Sequence, residues 1–131
     1  MNNRHNGATR ILLVEDEPII RYICYRVLGS DGFHLDMAEN GRVARQKTQT
    51  DDYDLILVDL RTPMINGREL YGYLAEHRPE LAQRVIFTTG EIMEGESSRF
   101  LETSGMPYLA KPFTPDELRD MVKGRLKQLA A

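Results

Sequence analysis

Hydrophobic positions along this chain follow two periods in turn. Two runs, Ile11–Val14 and Leu55–Val58, are continuously apolar. Apolar runs without polar interruption fit strands covered on both faces. They place strands at Arg10–Glu15 and Asp54–Asp59. His34–Ala38 alternates more weakly, and Arg84–Thr88 and Tyr108–Ala110 add two further strand segments. Between these segments apolar residues recur at helical spacing. Pro18–Leu28 gathers Ile19, Ile20, Ile23, Cys24, Val27 and Leu28 on one face, with Pro18 suited to the first turn and Gly29 to the stop. Asn40 caps a second helix that runs to about Gln49. Gly67–His77 turns Leu70, Tyr71 and Leu74 inward and stops near Pro79. Ile92–Thr103 forms a fourth helix weakened by Gly95. Thr114-Pro115-Asp116-Glu117 reads as a capping box, and Leu118, Val122, Leu126 and Leu129 follow on one face of a last helix. Five strands alternating with five helices predict a doubly wound α/β fold, a parallel sheet with helices on both faces. Residues 1–9 are polar and read as a disordered tail, leaving 10–131 as one domain.

Composition narrows the function. The 131 residues are 41% hydrophobic and 28% charged, enough for one ordinary core. Lys and Arg number 17 against 20 Asp and Glu, a net charge of −3. That balance argues against direct nucleic-acid binding, which needs clustered cations to displace counterions. The longest apolar runs fall far short of the roughly 20 residues of a membrane span or the 7 or so of a signal-peptide core. The single cysteine, Cys24, excludes an intramolecular disulfide and a multi-cysteine metal site, and reads as a small buried hydrophobe. The expected setting is a reducing, cytoplasmic one. His5, His34 and His77 lack a second histidine at ligand spacing. Tyr22 and Tyr25 flank the inward face of the first helix.

Sites in open parallel sheets form beyond the carboxyl ends of the strands. The first strand runs into Glu15-Asp16-Glu17, the third ends at Asp59, the fourth at Thr88-Thr89-Gly90-Glu91 and the fifth at Lys111-Pro112. Glu15, Asp16 and Asp59 together would repel one another, and a hard divalent cation such as Mg²⁺ removes the difficulty with oxygen ligands. A carboxylate beside a metal, a lysine and a hydroxyl is equipment for phosphoryl transfer, with the acid itself as nucleophile. Glu17 reads as an acid at a helix N-terminus, favoured by the macrodipole, more readily than as a metal ligand.

The segments ILLVEDE, LILVDLRTPMINGREL, FTTGE and YLAKPF, in that order, resemble the receiver domain of bacterial two-component response regulators. The likeness runs from Arg10 to about Leu129, with Thr89 lying 30 residues and Lys111 52 residues beyond Asp59. It implies a flavodoxin-like (βα)5 fold of strand order 2-1-3-4-5. Asp59 would be the phosphoacceptor, served by a histidine kinase or a histidine phosphotransfer protein. Asp16 would meet Mg²⁺ directly, Glu15 through water, and Arg61 through its backbone carbonyl. Thr89 matches the switch hydroxyl, Gly90 the small residue that leaves access, Lys111 the phosphoryl-pairing lysine, and Tyr108 the aromatic whose rotamer follows the switch. Lys111-Pro112 matches a bond that is cis in the family. Phosphorylation would alter the surface of the fourth helix, fifth strand and fifth helix, through which a homodimer could also form. Partner choice would lie on the first helix and the loop after the fifth strand. Such a domain assists its own phosphorylation and dephosphorylation and is not a turnover enzyme.

Thr62 stands where an apolar residue is usual in the family and Asn66 where Asp is common, while Pro63 and Gly67 suit the loop and helix start that follow Asp59. Gly105-Met106-Pro107 also departs from the common spacing. Arg61 and Glu91, each two residues beyond a site residue, suggest an ion pair gating water access to the acyl phosphate. An Asp-nucleophile phosphatase of the haloacid dehalogenase type expects a second Asp where Arg61 stands, and its acidic pair follows the nucleophile. A flavodoxin-like cofactor binder needs a phosphate loop where Glu15-Asp16-Glu17 would repel the ligand. A degenerate docking receiver would lack matched groups that are present here. With no output domain expected after Leu129, the choice lies between a stand-alone regulator and the receiver of a hybrid kinase acting as relay or docking domain.

Overall fold

A computed structural model describes residues 7–90 and 95–131. Strands β1 (Arg10–Val14), β2 (His34–Ala38), β3 (Leu55–Asp59), β4 (Val85–Thr89) and β5 (Tyr108–Ala110) alternate with helices α1 (Pro18–Ser30), α2 (Gly41–Thr50), α3 (Gly67–His77), α4 (Pro79–Ala82), α5 (Gly95–Ser104) and α6 (Pro115–Ala130). The strands form one parallel sheet in the order β2-β1-β3-β4-β5. Every residue of β1, β3 and β4 is buried, as their unbroken apolar runs require.

Because side chains alternate across a strand, these runs feed two cores. Leu12, Val14, Ile56, Val58, Val85 and Phe87 pack with Ala44, Leu70, Leu74 and Leu101 from α2, α3 and α5. Ile11, Leu13, Leu55, Leu57 and Ile86 pack on the opposite face with Cys24 and Leu28 of α1 and Leu118 and Val122 of α6. Phe100 of α5 meets Phe87 edge-on with ring centres 5.3 Å apart, and Tyr71 of α3 meets Phe87 at 5.8 Å.

Local chemistry sets the helix ends. Asn40 accepts from the Val43 N–H at 2.9 Å. Asn66 and Glu69 form a capping box on α3, so the Asp-to-Asn departure keeps a capping oxygen. Thr114 and Glu117 form the expected box on α6. Gly29 lies inside α1. The stop is made by Gly32, which takes φ +90°, while Phe33 N–H returns to the Leu28 carbonyl. Ile19 and Ile23 were expected on the inward face and instead stand exposed, at 73% and 39%. The core contacts of α1 come from Cys24 and Leu28 with partly buried Ile20 and Val27. The short α4 was not anticipated, because Pro79 read only as a stop. Thr9 is tied to the sheet through its carbonyl, which accepts from His34 N–H. Residues 1–6 of the expected tail lie outside the described residues, as do 92–94, where the fourth helix was expected to begin.

Register positions the site. Val14 pairs with Ala38 and Val58, Asp59 with Thr88, and Thr89 with Ala110. The strands therefore end level, and Glu15, Asp59, Thr89 and Lys111 emerge along one edge.

Candidate functional site

The site centres on the Lys111 ammonium. It lies 2.8 Å from Glu15 Oε1, 2.8 Å from Asp59 Oδ2 and 3.3 Å from Glu17 Oε1. Glu15 and Asp59 are buried, while Glu17 is open to solvent. Carboxylate oxygens of Glu15, Glu17 and Asp59 all lie within 4.8 Å of one another. This is a hard-oxygen donor set suited to a cation such as Mg²⁺. Asp16, expected to touch the metal directly, is exposed and is not one of the three gathered acids.

Each carboxylate is held from behind. Asp59 Oδ1 accepts the Arg61 backbone N–H at 3.0 Å, leaving Oδ2 to Lys111. The Asp59 carbonyl accepts from the Thr62 N–H at 3.1 Å and from its hydroxyl. Thr62 is buried, and its hydroxyl explains the polar residue where an apolar one is usual. Gly67 runs so close beneath that an added Cβ would lie 2.8 Å from the Asp59 carbonyl oxygen and 2.9 Å from Leu60 Cα. A side chain there would push on the Asp59 backbone, so Gly67 serves geometry, as expected. Glu15 Oε2 accepts the Glu17 N–H at 3.2 Å. From one turn into α1, Arg21 clamps the same loop by donating to the carbonyls of Glu15 (2.9 Å) and Asp16 (3.2 Å).

Burial raises the Glu15 carboxyl above the usual range, opposed by the Lys111 hydrogen bond and reinforced by the Asp59 charge. Burial acts to lower Lys111, but the hydrogen bonds and charges of Asp59 and Glu15 outweigh it and raise the ammonium. Behind the site, burial and the Glu15 charge push the Cys24 thiol up to about 12, which fits the inert packing role expected of it.

Thr89 ends β4 one residue later than expected, is buried, and accepts the Lys111 backbone N–H at 2.8 Å. A Cβ on Gly90 would meet only that of Lys111, at an ordinary contact distance of 4.0 Å, so packing alone does not require glycine there. The Lys111–Pro112 peptide is cis, as the resemblance implied. Tyr108 is 42% exposed. Arg61 is exposed at the mouth of the site, whereas Glu91, its expected gating partner, lies outside the described residues.

Sequence reasoning missed three contributors. Glu17 was read as a helix acid, yet it joins the cluster. Its signal was the third acid in Glu15-Asp16-Glu17. Thr62 signalled itself only as a departure from pattern. Arg21 gave no signal, because a charge on a helix ordinarily reads as a solvated face.

Comparison with known proteins agrees with this geometry. Residues 11–123 match the family profile of the response regulator receiver domain. The transcriptional regulatory protein ResD of Bacillus subtilis is 34% identical over 122 residues, covering 93% of this chain and 50% of that protein. The chain thus spans about half the length of such curated relatives. A CheY-like receiver domain protein from Methanospirillum hungatei superposes with a TM-score of 0.86 at 26% identity, covering 95% of this chain and 98% of that one. The response regulator TrrA of Thermotoga maritima, solved in complex with Mg²⁺-BeF, has a TM-score of 0.78 at 32% identity and covers 89% of this chain and 98% of its own. With the 2-1-3-4-5 sheet, the aligned strand ends and this family match all in agreement, the chain belongs to the response regulator receiver domains, the signalling modules of two-component systems.

Proposed function

We propose that the chain is a phosphorylation switch in which Asp59 accepts a phosphoryl group from a histidine kinase or a histidine phosphotransfer protein. The observation that carries this reading is the Lys111 ammonium 2.8 Å from both Asp59 and Glu15 in a pocket of gathered acids. Asp59 is held by Arg61 N–H on one oxygen, which leaves the other to attack phosphorus. The new O–P bond forms as the P–N bond of phosphohistidine breaks, and the imidazole leaves with the electron pair and takes up a proton. Lys111 then turns to the phosphoryl oxygens.

Glu15, Glu17 and Asp59 are the acids that would hold Mg²⁺, and the family resemblance adds Asp16 and the Arg61 carbonyl. When bound, the cation supplies charge neutralisation on the phosphoryl oxygens. The acyl phosphate adds negative charge and strong acceptors beside Thr89, whose hydroxyl and the exposed Tyr108 would carry the change to the surface of α5, β5 and α6. That surface would serve the downstream protein or a second copy of the chain.

Delivery of the phosphoryl group fits the exposed apolar residues of α1. Ile19, Tyr22, Ile23 and Tyr25 are all more than a third exposed on the helix that follows the acidic loop. A helical phosphodonor docking there would bring its histidine over Asp59. The phosphatase alternative is disfavoured by Arg61, which offers no acid to protonate a leaving group.

The test is intact mass after treatment with a small phosphodonor, with and without Mg²⁺. One phosphate on wild type that requires Mg²⁺ and is lost in Asp59→Asn is the expected result. A phosphate retained in Asp59→Asn would place the acceptor elsewhere.

A further inference from the structure

Glu17 occupies a helix N-cap without acting as one: its side chain makes no capping hydrogen bond to α1. Its carboxylate instead reaches Lys111, 94 residues further along the chain. A lysine ammonium has three N–H donors. Here Glu15 and Asp59 take two at 2.8 Å, and Glu17 takes the third at 3.3 Å. Every donor is thus engaged before a phosphoryl group arrives.

Transfer turns Asp59 Oδ2, which Lys111 holds, into an ester oxygen and frees one donor, and the three strong acceptor oxygens of the phosphoryl group draw a second from the remaining contacts. The three contacts are unequal. The side chains of Glu15 and Asp59 are 2% and 7% exposed, and that of Glu17 is 60% exposed. Water can replace Lys111 at Glu17 at little cost, but not at a buried carboxylate. Of the two contacts that outlast the transfer, to Glu15 and Glu17, the longer and wetter one, to Glu17, is released.

We propose that Glu17 is a positioning residue of the phosphoryl-transfer site, holding the third donor of Lys111 in the resting protein and surrendering it to the phosphoryl group. The proposal rests on the reading of Asp59 as acceptor. Glu17 then has two opposed effects. Its charge favours a divalent cation among the acids, and it both repels an anionic phosphodonor and competes with it for Lys111. The side chain is exposed and caps nothing, so Glu17→Gln folds normally.

The experiment compares wild type, Glu17→Gln and Glu76→Gln, the last removing one exposed charge on α3 far from the site. Mg²⁺ affinity is measured by calorimetric titration of metal-stripped protein. Phosphorylation by acetyl phosphate at saturating Mg²⁺ is followed by intact mass. Glu17→Gln is expected to weaken Mg²⁺ binding about three- to tenfold and to speed phosphorylation about two- to fivefold. Glu76→Gln is expected to match wild type in both. Glu17→Gln matching wild type in either readout overturns the proposal alone. A wild type that takes no phosphate overturns the acceptor reading and this proposal with it.

Discussion

Acidic side chains gather near both ends of the sheet, and the two groups are answered differently. Toward the amino end, Asp36, Asp51, Asp52 and Asp54 are met by several cations. Lys47 lies 3.0 Å from Asp36, Arg78 2.6 Å from Asp52, and Arg10 3.7 Å from Asp51. Asp54 accepts the Arg10 backbone N–H at 2.8 Å, and Arg84 donates to its carbonyl. Tyr53 donates to Asp36 at 2.6 Å and carries the Arg10 guanidinium over its ring. At the carboxyl end one lysine meets three carboxylates.

The carboxyls respond accordingly. Burial works against the Asp36 charge, but the hydrogen bonds from Tyr53 and Lys47 outweigh it and hold the group below the usual aspartate range. Burial of Glu15 is not outweighed, and the group stays raised. The lesson is that a cluster of acids points to function when its charge is left short of cations. A cluster whose charge is matched belongs to the scaffold.

The largest expected effect lies at the matched end. Arg10 is buried, and Arg10→Ala leaves several aspartates facing one another. We expect a loss of about 3–5 kcal/mol in urea unfolding. A loss under about 1 kcal/mol would mean the network is spectator surface. At the other end Gly67→Ala drives a Cβ into the backbone of Asp59 and Leu60, and should cost about 1–3 kcal/mol by the same assay. It should also slow phosphorylation at the proposed acceptor, because Asp59 itself is displaced.

Changing pH separates the two ends by sign. A raised carboxyl binds its proton more tightly in the folded state, so ionised Glu15 costs stability once pH rises above the ordinary glutamate value. Glu15→Gln should therefore stabilise the protein at neutral pH, with the gain fading in acid. Asp36 is lowered, so its contribution is present above the ordinary aspartate value and lost as pH falls through its folded value. Asp36→Asn should destabilise at neutral pH, with the loss fading in acid. Unfolding curves at neutral and acid pH check both, and slopes of the same sign would erase the contrast. The smallest effect belongs to Thr62→Val, which removes one buried hydroxyl bond to the Asp59 carbonyl for about 1 kcal/mol.

How legible each end was follows from physics. The unbroken runs of β1 and β3 announce strands covered on both faces, and the Thr114 and Asn40 caps are local chemistry, so sheet, order of elements and helix starts were readable. The inward face of α1 was misread because Ile19 and Ile23 satisfy helical spacing yet remain exposed, and spacing alone cannot tell a core face from an exposed one. Asp59, Glu15 and Lys111 were legible because strand ends in a parallel sheet share an edge. Glu17 and Thr62 were not, since their contacts depend on which way a loop turns its side chains. The matched network at the amino end was invisible in sequence. Its partners, such as Arg10 and Asp54, lie 44 residues apart and carry no motif.

The measurement closest to the central claim is the melting temperature of wild type, Asp59→Asn and Asp36→Asn as Mg²⁺ is raised. A cation that binds only the folded protein stabilises it in proportion to RT ln(1 + [Mg²⁺]/Kd). A rise is expected in wild type and in Asp36→Asn, and a rise lost or much reduced in Asp59→Asn. A wild type indifferent to Mg²⁺, or an Asp59→Asn variant that responds as strongly as wild type, would contradict it.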